Sequence, residues 1–229
     1  MEQQQKAIVL FSGGVDSTTC LALAIDRFGK DKVVPLSIQY GQKHNKELES
    51  AANVLAFYGI EGQVMDVTKL FAFSNSALLK QSREAVPEGS YKEQQELHGE
   101  GPVSTYVPFR NGLFLSAAAS MALSLDCGYI YYGAHSDDAA GNAYPDCSEV
   151  FYQSMGTAIY EGSGQALSLE APFIKSNKAD VVKTGLSLGA PYHLTWSCYE
   201  GNDKPCGHCG TCIDRRAAFL ANGMEDPAL

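Results

Sequence analysis

Short apolar runs alternate along this chain with longer stretches that repeat at helical spacing. Residues 6–11, Val33–Tyr40, Gln63–Val67 and Tyr129–Gly133 are short and carry the aliphatic and aromatic side chains that suit a buried strand. Ser17–Phe28, Asn45–Tyr58 and Asn111–Leu125 are longer and read as helices, with further helices near 148–161, 177–188 and 212–221. Strands that alternate with helices imply parallel βαβ units. The predicted fold is therefore α/β, a doubly wound, mostly parallel sheet that places ligands at the carboxyl ends of its strands.

Residues 74–105 interrupt the pattern. Gln81–Pro102 is polar and Glu-rich, contains Gly89, Gly99, Gly101, Pro87 and Pro102, and buries too little apolar surface to fold by itself. Two readings stand for such a segment: a lid over a site, or a disordered surface loop.

At 229 residues the chain suits one large domain, or one domain with an appendage. The expected division is a nucleotide-binding domain over 1–190, carrying the insertion at 74–105, followed by a zinc-binding segment and helix over 191–229. Seventeen basic against 26 acidic residues leave a formal charge of −9 with no basic run, which argues against nucleic acid as the main ligand. No apolar stretch is long enough to span a bilayer, and Met1–Lys6 lacks the basic start of a signal peptide, so the expectation is a cytoplasmic protein with no membrane partner. In a reducing compartment, clustered cysteines point to metal or catalysis rather than to disulfides.

The cluster is Cys198-x7-Cys206-x2-Cys209-x2-Cys212, with Pro205, Gly207 and Gly210 to bend the backbone. Four thiolates at these spacings match one closed, structural Zn²⁺ site. An Fe–S cluster is the competitor, and a redox dithiol is further away. His208 is read as lying outside the ligand set or exposed. Cys20 and Cys127 read as small core residues, whereas Cys147 stands open between a nucleophile and a packing residue.

The phosphate chemistry begins at Ser12-Gly13-Gly14-Val15-Asp16-Ser17, directly after Ala7–Phe11. A strand that turns through Gly-Gly into a helix aims backbone N–H groups and the positive helix end at one point. Glycine lets the backbone approach a phosphate, and Ser12, Ser17 and Thr18 add hydroxyl donors. Asp16 reads as a Mg²⁺ partner that screens the phosphates. The plain alternative is a strand-to-helix turn capped by Asp16 or Ser17. The loop resembles that of the ATP pyrophosphatases, in which S-G-G-x-D-S holds the β- and γ-phosphates while AMP passes to a substrate oxygen. That resemblance implies an ATP site over Phe11–Thr18 (Phe11, Ser12, Gly13, Gly14, Val15, Asp16, Ser17 and Thr18).

Four further motifs extend the resemblance over nearly the whole chain: Tyr40–His44, Val107–Asn111, Tyr144–Cys147, and Ser197–Tyr199 leading into Cys206–Cys212. Together they resemble the 7-cyano-7-deazaguanine synthase family, nitrile-forming ligases of queuosine biosynthesis. The resemblance implies that 7-carboxy-7-deazaguanine, ammonia and two ATP give the nitrile through an amide, with Mg²⁺ accompanying ATP and one structural Zn²⁺ per chain; it leaves a homodimer open. It also implies that Lys178, with Lys175 nearby, faces the pyrophosphate, which makes Asp16 and Lys178 the catalytic assignments. Arg110 and Asn111 suit a planar heterocycle, Tyr144 stands beside them, and Asp146 could accept from guanine-like N–H groups. The competing role for Arg110, Asn111 and Asp146 is helix capping. Two positions depart from the family: Phe109 stands where Gly often precedes Arg-Asn, and Asn177 where Asp often precedes Lys. The expectation is that Phe109 alters the pocket wall. Competing functions are a tRNA-modifying ATP pyrophosphatase, either a thiolase or a lysidine-type ligase, and a non-enzymatic nucleotide-binding zinc module.

Overall fold

The computed structural model describes residues 5–43, 45–201 and 203–228. Met1–Gln4 and His44, which entered two of the sequence readings, lie outside the described residues. Strand β1 is Ala7–Leu10, followed by helix α1 (Val15–Phe28), β2 (Val33–Gln39), α2 (Lys46–Tyr58) and β3 (Gln63–Asp66). After the insertion, which holds α3 (Tyr91–His98), the chain forms α4 (Arg110–Ser124), β4 (Tyr129–Tyr131) and the short α5 (Ser136–Ala139). It continues through α6 (Glu149–Gly162), β5 (Ser168–Glu170), α7 (Lys178–Ser187) and α8 (Gly210–Ala221).

The strands lie in the order β3-β2-β1-β4-β5, all parallel, with Ala7 beside Val33 on one side and Tyr129 on the other. Central strand β1 is apolar throughout because both its faces are covered. Ala7 and Val9 pack with α1, α2, α7 and α8, while Ile8 turns to the opposite face and packs with α4 and α6. That alternation is the period of two expected of a strand. The chain leaves β1 toward β2 and returns on the other side as β4, so the crevice between β1 and β4 is the topological switch point.

Strand β5 and helix α3 are additions to the sequence reading. Strand β5 offers one buried apolar residue, Leu169, between Ser168 and Glu170, whereas β4, of the same length, is buried and apolar or aromatic throughout. Helix α3 sits in the polar insertion, where its capping box of Ser90 and Glu93 is a local signal in a stretch otherwise dominated by Gly and Pro. The insertion acquires a core by borrowing one. Leu78, Leu79 and Val86 are buried together with Val107, Trp196, Cys198, Cys209 and Cys212. Glu88 bridges to Cys209, and the N–H of Gly89 donates to the carbonyl of His208 at 3.1 Å. The final segment is bound into the main core as well: Ala218 and Phe219 of α8 pack with Val181 and Val182 of α7, and Arg215 pairs with the buried Asp226 at 2.7 Å.

Candidate active site

A cleft opens at the carboxyl ends of β1 and β4, with about 1320 Å³ of empty space including its mouth. The loop after β1 forms one wall. Ser17 Oγ accepts from the N–H of Ser12 at 3.2 Å and lies 3.1 Å from Ser12 Oγ, which accepts from the N–H of Gly14 at 3.3 Å. These hydroxyls thus fix the turn at the amino end of α1, the end that attracts anions.

Phe11, Ser12, Gly14, Asp16 and Ser17 line the cleft. Gly13, Val15 and Thr18 are not among the residues that line it. Val15 is wholly buried in the core, and Thr18 is buried with its hydroxyl lacking a hydrogen-bond partner among the described residues. Gly13 has φ +82°, and a Cβ there would meet the backbone of Ala51 and Glu47 on α2. Gly133, after β4, also sits close to the loop: a Cβ there would come 3.0 Å from the Asp16 backbone. Sequence reasoning passed over it.

The centre of the cleft is ionic. Lys178, at the start of α7, places Nζ 2.8 and 3.1 Å from the two carboxylate oxygens of Asp16. Burial opposes both charges, but the pair overrides it: Lys178 with His135 holds the Asp16 carboxyl below its usual range, and Asp16 with Asp138 holds Lys178 above its own. His135 and Asp138 were not identified from the sequence. His135 Nε2 lies 3.4 Å from Lys178 Nζ, 3.7 Å from Asp16 Oδ1 and 3.4 Å from Asp138 Oδ2. Their only signal was position, just past the carboxyl end of a predicted strand. Asp214 of α8 also lines the cleft, and burial raises its carboxyl to about 6 against the pull of Lys178. Lys175 is on the surface, paired with Glu149 at 2.9 Å, and takes no part in the cleft.

The opposite wall is aromatic and carries Arg110. Its guanidinium donates to Tyr40 Oη at 3.3 Å and lies 5.4 Å from that ring's centroid. Tyr144 Oη is 2.6 Å from Thr105 Oγ1, and Tyr91 of the insertion meets Tyr199 hydroxyl to hydroxyl at 3.0 Å. The insertion therefore supplies part of the wall. Asp146 takes the capping role: it is buried behind the cleft, and its carboxylate accepts from the N–H of Asn111 at the first turn of α4, at 2.8 Å. Cys147 lines the cleft as a buried thiol that accepts from Asn111 Nδ2 at 3.2 Å. Burial, with Asp138 and Asp146 nearby, pushes that thiol well above its usual range, so it rests protonated and not as a nucleophile.

Both departures from the family fall outside the cleft lining. Phe109 adopts φ +55°, a conformation that glycine takes easily, and its exposed ring packs on Phe151 and over Gly112 outside the cleft. It does not alter the pocket wall. Asn177 caps α7, accepting from the N–H of Asp180 at 3.0 Å, as aspartate would.

Cys198, Cys206, Cys209 and Cys212 converge at the amino end of α8, with all four sulfurs within 4.8 Å of one another. Tetrahedral thiolates at ~2.3 Å from one ion stand about 3.8 Å apart, so the set fits a zinc site. The N–H groups of Glu200, Gly201 and Cys206 donate to Cys198 Sγ at 3.4, 3.0 and 3.2 Å, the kind of support that steadies a metal-bound thiolate. His208 stays half-exposed, 3.7 Å from Glu88.

The family model described as "Queuosine biosynthesis protein QueC" matches residues 6–223. The 7-cyano-7-deazaguanine synthase of Archaeoglobus fulgidus is 41% identical over 225 residues, 98% of this chain and 90% of that protein. The synthase of a Marinomonas species is 41% identical over 223 residues, 97% of each chain. Among solved structures, the U34-tRNA thiolase NcsA from Methanococcus maripaludis, with its 4Fe–4S cluster, matches with a TM-score of 0.50 and 15% identity over 86% of this chain and 61% of that one. That likeness is one of fold.

Proposed function

Since the chain belongs to the QueC family of queuosine biosynthesis, and so to the carbon–nitrogen ligases, we propose that this cleft converts 7-carboxy-7-deazaguanine and ammonia to 7-cyano-7-deazaguanine with two ATP. The observation that carries this reading is the meeting, in one cleft, of the Asp16–Lys178 pair on a phosphate loop with a wall bearing Arg110, Asn111 and Tyr144.

A carboxylate is a poor electrophile. Its attack on the α-phosphorus of ATP expels pyrophosphate and leaves an acyl adenylate. Ammonia displaces AMP and loses a proton, giving the amide. The amide oxygen attacks the α-phosphorus of a second ATP and expels a second pyrophosphate, and loss of AMP together with both nitrogen-bound protons leaves the nitrile. Ser12, Gly14 and Ser17 cradle the phosphates, and Lys178 swings its charge from Asp16 toward the departing pyrophosphate. Mg²⁺ on Asp16 would supply charge neutralisation along the triphosphate. Arg110 and Asn111 hold the heterocycle, and the tyrosine wall keeps water from the acyl adenylate.

Zinc is assigned to the four cysteines as a structural ion, free ammonia as the nitrogen donor, the cytoplasm as the setting, and a homodimer as an assembly open to test. Incubation with ATP, Mg²⁺, ammonium and 7-carboxy-7-deazaguanine should release AMP and pyrophosphate and yield the nitrile mass. AMP release that ignores the heterocycle would overturn the reading.

A further inference from the structure

Asn111 is held by three contacts from a single turn. Its N–H donates to Asp146 Oδ2 at 2.8 Å, and its Nδ2 donates both to the carbonyl of Asp146 at 3.2 Å and to Cys147 Sγ at 3.2 Å. The orientation of the carboxamide follows. A backbone carbonyl only accepts, so the group facing it must be the NH₂. Both amide protons then have acceptors, and Oδ1 is the atom left for the cleft that Asn111 lines.

We propose that Cys147 is a positioning residue whose sulfur, with the Asp146 carbonyl, locks Asn111 so that Oδ1 is presented as a hydrogen-bond acceptor to a heterocyclic N–H of the substrate. The inference rests on the proposed function for its ligand. The thiol suits the task. Sulfur is a large, soft acceptor that fills the apolar floor formed with Tyr132 and Tyr144, and burial keeps it protonated and chemically quiet. With Cys147 removed, Asn111 retains one acceptor, and rotation about its last torsion can turn an N–H toward the ligand's own N–H. A two-donor clash then replaces a hydrogen bond. Specificity for the heterocycle, rather than binding of ATP, is what the lock protects.

The test compares wild type, Cys147→Ala and Cys147→Ser against 7-carboxy-7-deazaguanine and two analogues, one methylated on the lactam ring nitrogen and one methylated on the pyrrole nitrogen. Cys147→Ala should raise KM for the parent heterocycle about 3- to 10-fold, with kcat and KM for ATP within about twofold. Cys147→Ser, which keeps an acceptor, should restore most of the loss. Wild type should reject one of the analogues by about 10-fold or more, and Cys147→Ala should have lost that discrimination. Equal loss for all three ligands, a shift in kcat or ATP KM, or no rescue by Ser would overturn the lock. If Cys147→Ala does not fold, wild type and Cys147→Ser decide alone: indifference of both to either missing donor overturns it. A wild type that neither binds nor converts the parent heterocycle refutes the proposed function instead.

Discussion

Lys178 Nζ lies within 3.1 Å of both carboxylate oxygens of Asp16, although the two residues come from helices 162 positions apart. The pair lies at the crevice between β1 and β4, and it ties the loop after β1 to α7. Each charge is the other's partner; the phosphates of the proposed nucleotide would offer the ammonium a second one.

Asp16→Asn therefore leaves a buried ammonium short of its partner. Because the Asp16 side chain is a quarter exposed, the loss of stability should be near 2 kcal/mol rather than the larger figure for a sealed pair. AMP release should fall on the order of 100-fold. The Asp16 carboxyl titrates lower folded than its ordinary 3.8, so its stabilising contribution is present above that value and lost as pH falls through the folded pKa. Acid melts below pH 3.8 should be steeper for wild type than for Asp16→Asn. Matching slopes would show that the pair contributes nothing.

The two glycines of the loop separate folding from binding. Gly13→Ala puts a Cβ against the α2 backbone at a positive φ and should cost about 2–4 kcal/mol, seen as a lower melting temperature with or without ATP. Gly14→Ala has only Ser12 Oγ at 3.3 Å and the Trp196 carbonyl at 3.4 Å to displace. It should melt within a few degrees of wild type while raising the KM for ATP, because its side chain enters the cleft. Equal melting temperatures would remove the packing role of Gly13.

These contrasts mark how far the sequence could be read. The first four strands with the longer helices around them, the glycine turn after β1 and the spacing of the four cysteines were legible, because each is local: a hydrophobic period, a turn chemistry, a ligand spacing. His135, Asp138 and Asp214 were not, since what makes them part of the site is the convergence of α5, with its N-cap, and α8 on the Asp16–Lys178 pair. Gly13 was legible as a glycine but not as a contact with α2. The insertion misled for a related reason. Its composition describes a segment that cannot fold alone, while its burial depends on Trp196 and Cys209, far along the chain.

Phe109 tests whether a departure from the family carries a cost. Its backbone sits at φ +55°, strained for any residue with a Cβ, while its ring gains the contact with Phe151 at 5.9 Å between centroids. Phe109→Ala keeps the strain and loses the ring, so it should be about 1 kcal/mol less stable than wild type. Phe109→Gly loses the ring but relieves the strain and should fall close to wild type. Urea melts that rank Ala above Gly would show the strain to be negligible.

Removing the metal should be felt in the insertion first. The cysteine turn holds residues 88 and 89 through the Glu88–Cys209 bridge and the Gly89 N–H on the His208 carbonyl, and Cys198, Cys209 and Cys212 share a buried cluster with Leu78, Leu79 and Val86. Without an ion to neutralise them, four thiols packed within 4.8 Å are not a stable arrangement, and the turn should open. The insertion would then lose the surface against which it folds, and Tyr91 would leave the wall where it meets Tyr199. Metal analysis of the purified protein should find one zinc per chain. Chelation, or Cys209→Ser, should lower the melting temperature and speed trypsin cleavage at Arg83 and Lys92, which are already exposed but lie on backbone that the cysteine turn helps to hold, while ATP contact at the loop after β1 is largely kept. KM for the heterocycle should rise more than KM for ATP. Trypsin cleavage that proceeds equally with and without the metal would separate the insertion from the cysteine site and leave its packing to the apolar cluster alone.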